Sequence, residues 1–258
     1  MTPLIRRGLI AEASERPADS PQTSAIAVRG ARRRLILFAG IGIAAYALAM
    51  VATIPASAVL KNRPWRSGIA GTVWNGEVGV GGASRIEWSW SPLRSLTSLG
   101  FAADWRASGA TSDLGGRALL RSGSVALDNV SGTLDGALLA AIKPDLPFTC
   151  DLTMQADLPR VVLGGNDQAA IGRIVTDVGT CTPKAGGSAT GVGPLLLTAE
   201  KIGAVSHLRL VPATQRRRTL MTFALAENGT VDIAITPEGA ASLPFVGLPS
   251  GASIRAEM

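Results

Sequence analysis

At 258 residues and 26.5 kDa, with 47% hydrophobic residues, the chain can bury a core, which excludes a wholly disordered protein. A single His and two Cys exclude a multi-histidine or multi-cysteine metal site. The formal charge of +6 invites a nucleic-acid or anionic-membrane partner, and where the charges sit decides between them.

Residues 1–34 hold seven arginines (Arg6, Arg7, Arg16, Arg29, Arg32, Arg33, Arg34) against Glu12, Glu15 and Asp19. This basic leader, net +4, reads as disordered and, by the positive-inside rule, cytoplasmic. Residues 35–60 then run for 26 positions without a charge. At about 1.5 Å per residue, the first ~20 of them span the roughly 30 Å hydrocarbon core, so the sequence predicts a transmembrane helix over 35–58. A cleaved signal peptide competes, because Ala56-Ser57-Ala58 fits the small-x-small cleavage pattern. The long leader and long apolar run favour an uncleaved anchor. Gly40 with Ala44, and Ala45 with Ala49, place small residues four apart, where another membrane helix can approach closely. An alanine-rich lipid-facing helix is the alternative. Residues 59–258 retain only +2, which removes most support for nucleic acid as a partner.

Beyond residue 60 the pattern is that of an all-β domain: short alternating runs between Gly, Pro, Asn and Asp. Ile69–Trp74 and Glu77–Val80 flank Asn75-Gly76, a pair suited to a two-residue hairpin turn. Ile86, Trp88 and Trp90 alternate with Arg85, Glu87 and Ser89 in a strand that Pro92 stops, and Phe101, Ala103 and Trp105 repeat the alternation. Further strands are expected around 117–121, 125–128, 149–156, 161–163, 171–177, 205–211 and 254–257. The clearest hairpin is Thr219–Ala226, Asn228-Gly229, then Thr230–Thr236. Asp135–Ile142 and Leu195–Ile202 fit either short helices or strands. Together these predict one extended, curved antiparallel sheet or a sandwich.

Cys150 and Cys181 both follow the helix. On an oxidising side of the membrane they are expected to form a disulfide closing a loop of about 30 residues, two separate buried thiols being the alternative. The five tryptophans, Trp65, Trp74, Trp88, Trp90 and Trp105, fall within 41 residues. Core packing suits Trp88 and Trp90, and interfacial anchoring suits Trp65 beside Lys61, Arg63 and Arg66.

Catalytic signatures are missing. His207 alternates in phase with Val205 and Arg209 as an ordinary strand residue, no G-x-S-x-G surrounds a serine, and no P-loop or G-x-G-x-x-G occurs. Arg216-Arg217-Arg218 reads as a solvated loop or as a contact for anionic headgroups or an acidic surface. The expectation is a non-enzyme without cofactor.

The order of these features (basic leader, one anchor helix, G-T-V-W-N-G at 71–76, W-S-W-S-P at 88–92, then a β-rich tail with a cysteine pair) resembles the type II secretion system protein N family, general secretion pathway protein N (GspN). The resemblance carries Trp74, Asn75 and Gly76 for the first hairpin and Trp88, Trp90 and Pro92 for the next strand. It implies a single-pass inner-membrane protein with a periplasmic β domain, whose partners are other inner-membrane and periplasmic secretion subunits. That family in turn looks like the AsmA-like proteins, which implies lipid as an alternative partner in an apolar groove.

Overall fold

The computed structural model describes residues 22–60, 66–80 and 84–257. Residues 1–21 of the expected leader, and Trp65 with Lys61 and Arg63, lie outside the described residues. The chain divides into two units, one ending at Ala52 and the other beginning at Thr53.

The first unit is a helix, α1 (Gln22–Ala52), so residues 22–34 of the expected leader are helical. Its stretch Arg33–Ala52 is long and apolar enough to cross a membrane, about 30 Å for 20 residues. None of that stretch is buried among the described residues. The helix ends short of the expected residue 58. Pro55 has no N–H for a helical bond, and the chain instead takes extended geometry there before a single turn, α2 (Ala56–Val59).

The second unit is mostly strand. Its elements are β1 (Arg66–Gly71), β2 (Asn75–Val80), β3 (Ser84–Trp90), α3 (Pro92–Ser98), β4 (Phe101–Ser108), β5 (Asp113–Arg121), β6 (Ser124–Asp135) and α4 (Gly136–Ile142). There follow β7 (Phe148–Asp151), β8 (Thr153–Gly164), β9 (Ala169–Thr176), β10 (Gly179–Pro183), β11 (Thr190–Val192), β12 (Leu195–Ile202), β13 (Val205–Pro212), β14 (Met221–Ala226), β15 (Thr230–Ile235), α5 (Pro237–Ser242) and β16 (Ser253–Glu257). Among the described residues, thirteen strands form one antiparallel sheet in chain order, while β7, β10 and β11 leave the sequence to make a small second sheet.

Register carries one set of side chains across the whole large sheet. Val78 pairs with Ile86, Trp88 with Trp105, Ala107 with Leu114, Gly132 with Ala156, Leu197 with Leu210, and Phe223 with Ile233, giving one continuous apolar face. The other face holds ion pairs between cross-strand partners: Asp128 with Arg160 at 3.3 Å, Asp157 with Arg173 at 3.1 Å, and Asp232 with Arg255 at 2.7 Å. Exposed pairs of this kind add little each, so their main effect is to favour this register, and apolar burial supplies the stability.

Besides a register shift in β1 between Ser67 and Ala70, bulges between Gly115 and Arg117 and between Asp157 and Arg160 bend the sheet. Pro159 sits inside the last of these, where the ladder needs no donor. That bend is why the expected separate strands 149–156 and 161–163 are differently divided: β8 runs through both, and residues 148–151 peel off as β7.

The Asn228-Gly229 hairpin lies where the sequence places it, with Gly229 at φ 88° and Asn228 Oδ1 accepting from Thr230 N at 3.0 Å. The Asn75-Gly76 turn does not. Both residues belong to β2, and the chain reverses through 72–74 after Gly71 takes φ 82°. Gly76 is needed for close approach, since a Cβ there would stand 2.5 Å from the Trp88 ring and 2.7 Å from the Ala70 carbonyl. Of the two ambiguous stretches, Asp135–Ile142 supplies helix α4 and Leu195–Ile202 is strand β12. Asp135 caps α4, accepting from Leu138 N at 2.7 Å.

Burial tends to raise the Asp135 carboxyl pKa, but hydrogen bonds from the Thr111 hydroxyl, Leu138 N–H, Ser112 and Ala137 N–H outweigh it and hold the group below its ordinary value. A lowered folded pKa gives stability that is present above the unfolded value and lost as pH falls through the folded one. Asp135→Ala should therefore cost about 1 kcal/mol at neutral pH. The difference between variant and parent should shrink on acidification, read by denaturant titration at several pH values.

Candidate interaction site

Two cavities lie against the apolar face. The larger, about 520 Å³, is bounded by α2 on one side and by Val78, Ile86, Trp88, Phe101, Trp105 and Leu120 of β2–β5 on the other. Ala56 of α2 is buried. The indole N–H of Trp88 donates to Val73 O at 3.0 Å, which ties this wall to the 72–74 reversal. Trp105 Nε1 is buried with no acceptor among the described residues, a polar donor within an apolar wall.

Trp90 shares the face of Trp88 but stands at the strand end and is exposed, which departs from the core packing expected for it. Its ring lies 4.6 Å from Trp74, which also contacts Phe101 at 6.1 Å. Its N–H donates to Ser95 Oγ at 2.8 Å, and Ser95 Oγ donates to Ser91 O and accepts from Ala102 N. Pro92 both ends β3 and opens α3, its fixed φ suiting the first helical position. Trp74, Asn75, Gly76, Trp88, Trp90 and Pro92 thus gather at one end of β2–β4. Gly40, Ala44, Ala45 and Ala49 lie on α1, in the other unit.

The smaller cavity, about 380 Å³, lies between β12–β15 and the small sheet. Cys150 on β7 pairs with Cys181 on β10, and a disulfide joins them in the cavity wall. Phe148 packs edge-on against Phe245 at 5.0 Å and closes the same side. The two cavities share no lining residue. Between them a filled cluster of Val80, Ala107, Leu114, Val130 and Leu134 surrounds Leu138 of α4.

His207 is exposed on β13, opposite Glu200 and Ala224. Arg218 meets Glu238 at 3.2 Å in the loop before β14. No cluster of metal-binding side chains occurs among the described residues.

Residues 63–236 match the family described as type II secretion system (T2SS), protein N. The chain belongs to this family. The match spans β1 to β15 and so contains both Trp motifs and the strand walls of both cavities. It makes this T2SS protein N member a component of a secretion system whose subunits work together, and α1 supplies an apolar helix suited to a membrane anchor. Searches of curated proteins and of solved structures gave no match.

Two features that bear on docking surfaces have no counterpart among the expectations drawn from the sequence. One is α3, seven residues long and without an amphipathic pattern long enough to register. The other is the outer edge of β16, whose only partner among the described residues is β15.

Proposed function

We propose that the chain is a non-catalytic, single-pass inner-membrane subunit of the type II secretion system that helps export folded proteins by docking its β unit onto other subunits. Its N-terminus is cytoplasmic and its β unit periplasmic. The observation that carries the docking is the β16 edge. Five consecutive residues, Ser253–Glu257, run in regular register with β15 and offer their other side to a further strand. The β1 edge is a poorer template, because its register shifts between Ser67 and Ala70. A photoreactive side chain at position 254, in the full chain in cells, should give adducts to another secretion subunit. No such adduct, together with intact secretion after deletion of the chain, would sink the proposal.

The disulfide supports the periplasmic placement, since such bonds persist in oxidising compartments. A reporter enzyme fused after residue 62 should accordingly be active only in its exported form, and a cytoplasmic signal would reverse the topology. The small residues Gly40, Ala44, Ala45 and Ala49 would then serve lateral contacts of the anchor.

A second reading, an AsmA-like lipid-binding module, is favoured by the two apolar cavities, each within the size range of small-ligand sites. The free Trp105 donor suits an ester or headgroup oxygen. Native mass spectrometry of the intact chain should show a co-purifying lipid if this reading holds, and its absence would remove the reading's main attraction.

A further inference from the structure

In a sheet whose strands follow chain order, alternate connections share an edge. Here the β1–β2, β3–β4, β5–β6 and β8–β9 connections fall on one. On that edge large apolar side chains are left uncovered. Leu93, Leu96 and Leu99, in and just after α3, are 79%, 73% and 90% exposed. Beside them Leu120, Val125 and Leu163 stand in register on three successive strands, and all three are exposed. A continuous patch of this kind on a protein surface marks something that covers it.

The patch is held outward by fixed bonds. Arg121 Nε and Nη2 donate to Ser98 O at 3.1 and 3.0 Å, Arg94 Nη2 donates to Ala118 O at 2.8 Å, and Trp90 Nε1 holds Ser95. No acidic residue occurs from Ser91 to Gly100; Arg94 is part-buried and pairs with Asp104 of β4 at 3.3 Å, while the Arg121 guanidinium and an exposed indole lie beside the leucines. Leucines outermost, with an indole and the Arg121 guanidinium behind them, is the order of groups met on passing from acyl chains to headgroups.

Chain continuity names the surface. Ile54 O accepts from Val73 N at 3.0 Å and Pro55 bridges to Thr72, so residues two and three beyond α1 are already fastened to this same edge. A tether of three residues reaches at most about 10 Å.

We infer that the β3–β4 edge rests in the interface of the bilayer that α1 crosses, with Leu93, Leu96 and Leu99 inserted among the acyl chains. This inference rests on the anchor reading of α1. The leucines enter about 5 to 10 Å, the usual depth of interfacial apolar side chains, and the indole of Trp90 with Arg121 meets the headgroups.

The test is spin labelling of the full chain in phosphatidylethanolamine–phosphatidylglycerol vesicles, one site at a time: Leu96→Cys, Ile43→Cys on α1, and Val178→Cys, which is 72% exposed but lies on the opposite edge. The ratio of accessibility to oxygen over a water-soluble nickel chelate reads lipid burial. Position 96 should resemble 43 and exceed 178. Adding Leu93→Ser and Leu99→Ser should return position 96 toward the value at 178. A label at 96 as wet as at 178, with 43 in lipid, overturns the inference while leaving the anchor intact. A wet label at 43 overturns the anchor and the inference together.

Discussion

Replacing Cys150 and Cys181 together by serine is expected to cost the β unit roughly 3 to 4 kcal/mol, the loop-entropy value for a closed loop of about 30 residues. The bond spans 31 positions in sequence and joins the two longest strands of the small sheet. Those strands are short: β7 contributes four residues and β10 five. Without the bond, β7 and β10 keep a four-residue ladder, β10 and β11 a three-residue one, and Phe148 its packing against Phe245. The small sheet should therefore loosen before the large one. Denaturant titration of oxidised and reduced protein should show an earlier transition on reduction, followed through the wall of the smaller cavity. Coincident curves would mean that the bond constrains nothing that packing does not already fix. Cys181 is buried, so reduction of the native protein should also be slow unless denaturant is present.

The sheet was readable from sequence where its faces differ in chemistry. Trp88 and Trp105 alternate with charged neighbours, and Phe223 and Leu225 with smaller ones, because each strand is apolar on one side and polar or ion-paired on the other. The same logic failed at Asn75-Gly76. A turn dipeptide and a strand glycine that admits a tryptophan ring are identical in local sequence, and only the position of Trp88, twelve residues on, separates them. The small sheet was hidden for another reason. Residues 179–192 hold strands of five and three residues around a Gly-rich stretch, too short to establish a period.

The candidate site followed suit. The cysteine pair and the Trp motifs were visible as residues, whereas the cavities depend on how far a thirteen-stranded sheet bends, which the bulges at Gly115 and Pro159 set and local pattern does not. The uncovered leucines of α3 read in sequence as ordinary apolar residues, since exposure is a property of the packed chain.

Leu138→Ala is expected to cost 2 to 5 kcal/mol, about the range for deleting a fully buried leucine. Leu138 is 0% exposed, and it sits in the cluster of Val80, Ala107, Leu114, Val130, Leu134, Met154 and Ala156, which draws on five strands of the large sheet. Gly136 fixes the helix that carries it, since any Cβ there would collide with the Cys150 carbonyl and lift α4 off β7. The surrounding backbone is a hydrogen-bonded ladder that cannot collapse far, so the loss should fall toward the upper part of the range. The same side chain fills the space between the two cavities, and its neighbour Leu139 already lines the smaller one. Truncation should thus weaken the partition as well as the fold. Thermal melts and denaturant titration of the full chain measure the first effect. Uptake of a small apolar probe such as xenon, greater in Leu138→Ala than in the parent, measures the second. A loss below about 1 kcal/mol would show that α4 does not divide the apolar face, because burial this complete should cost more.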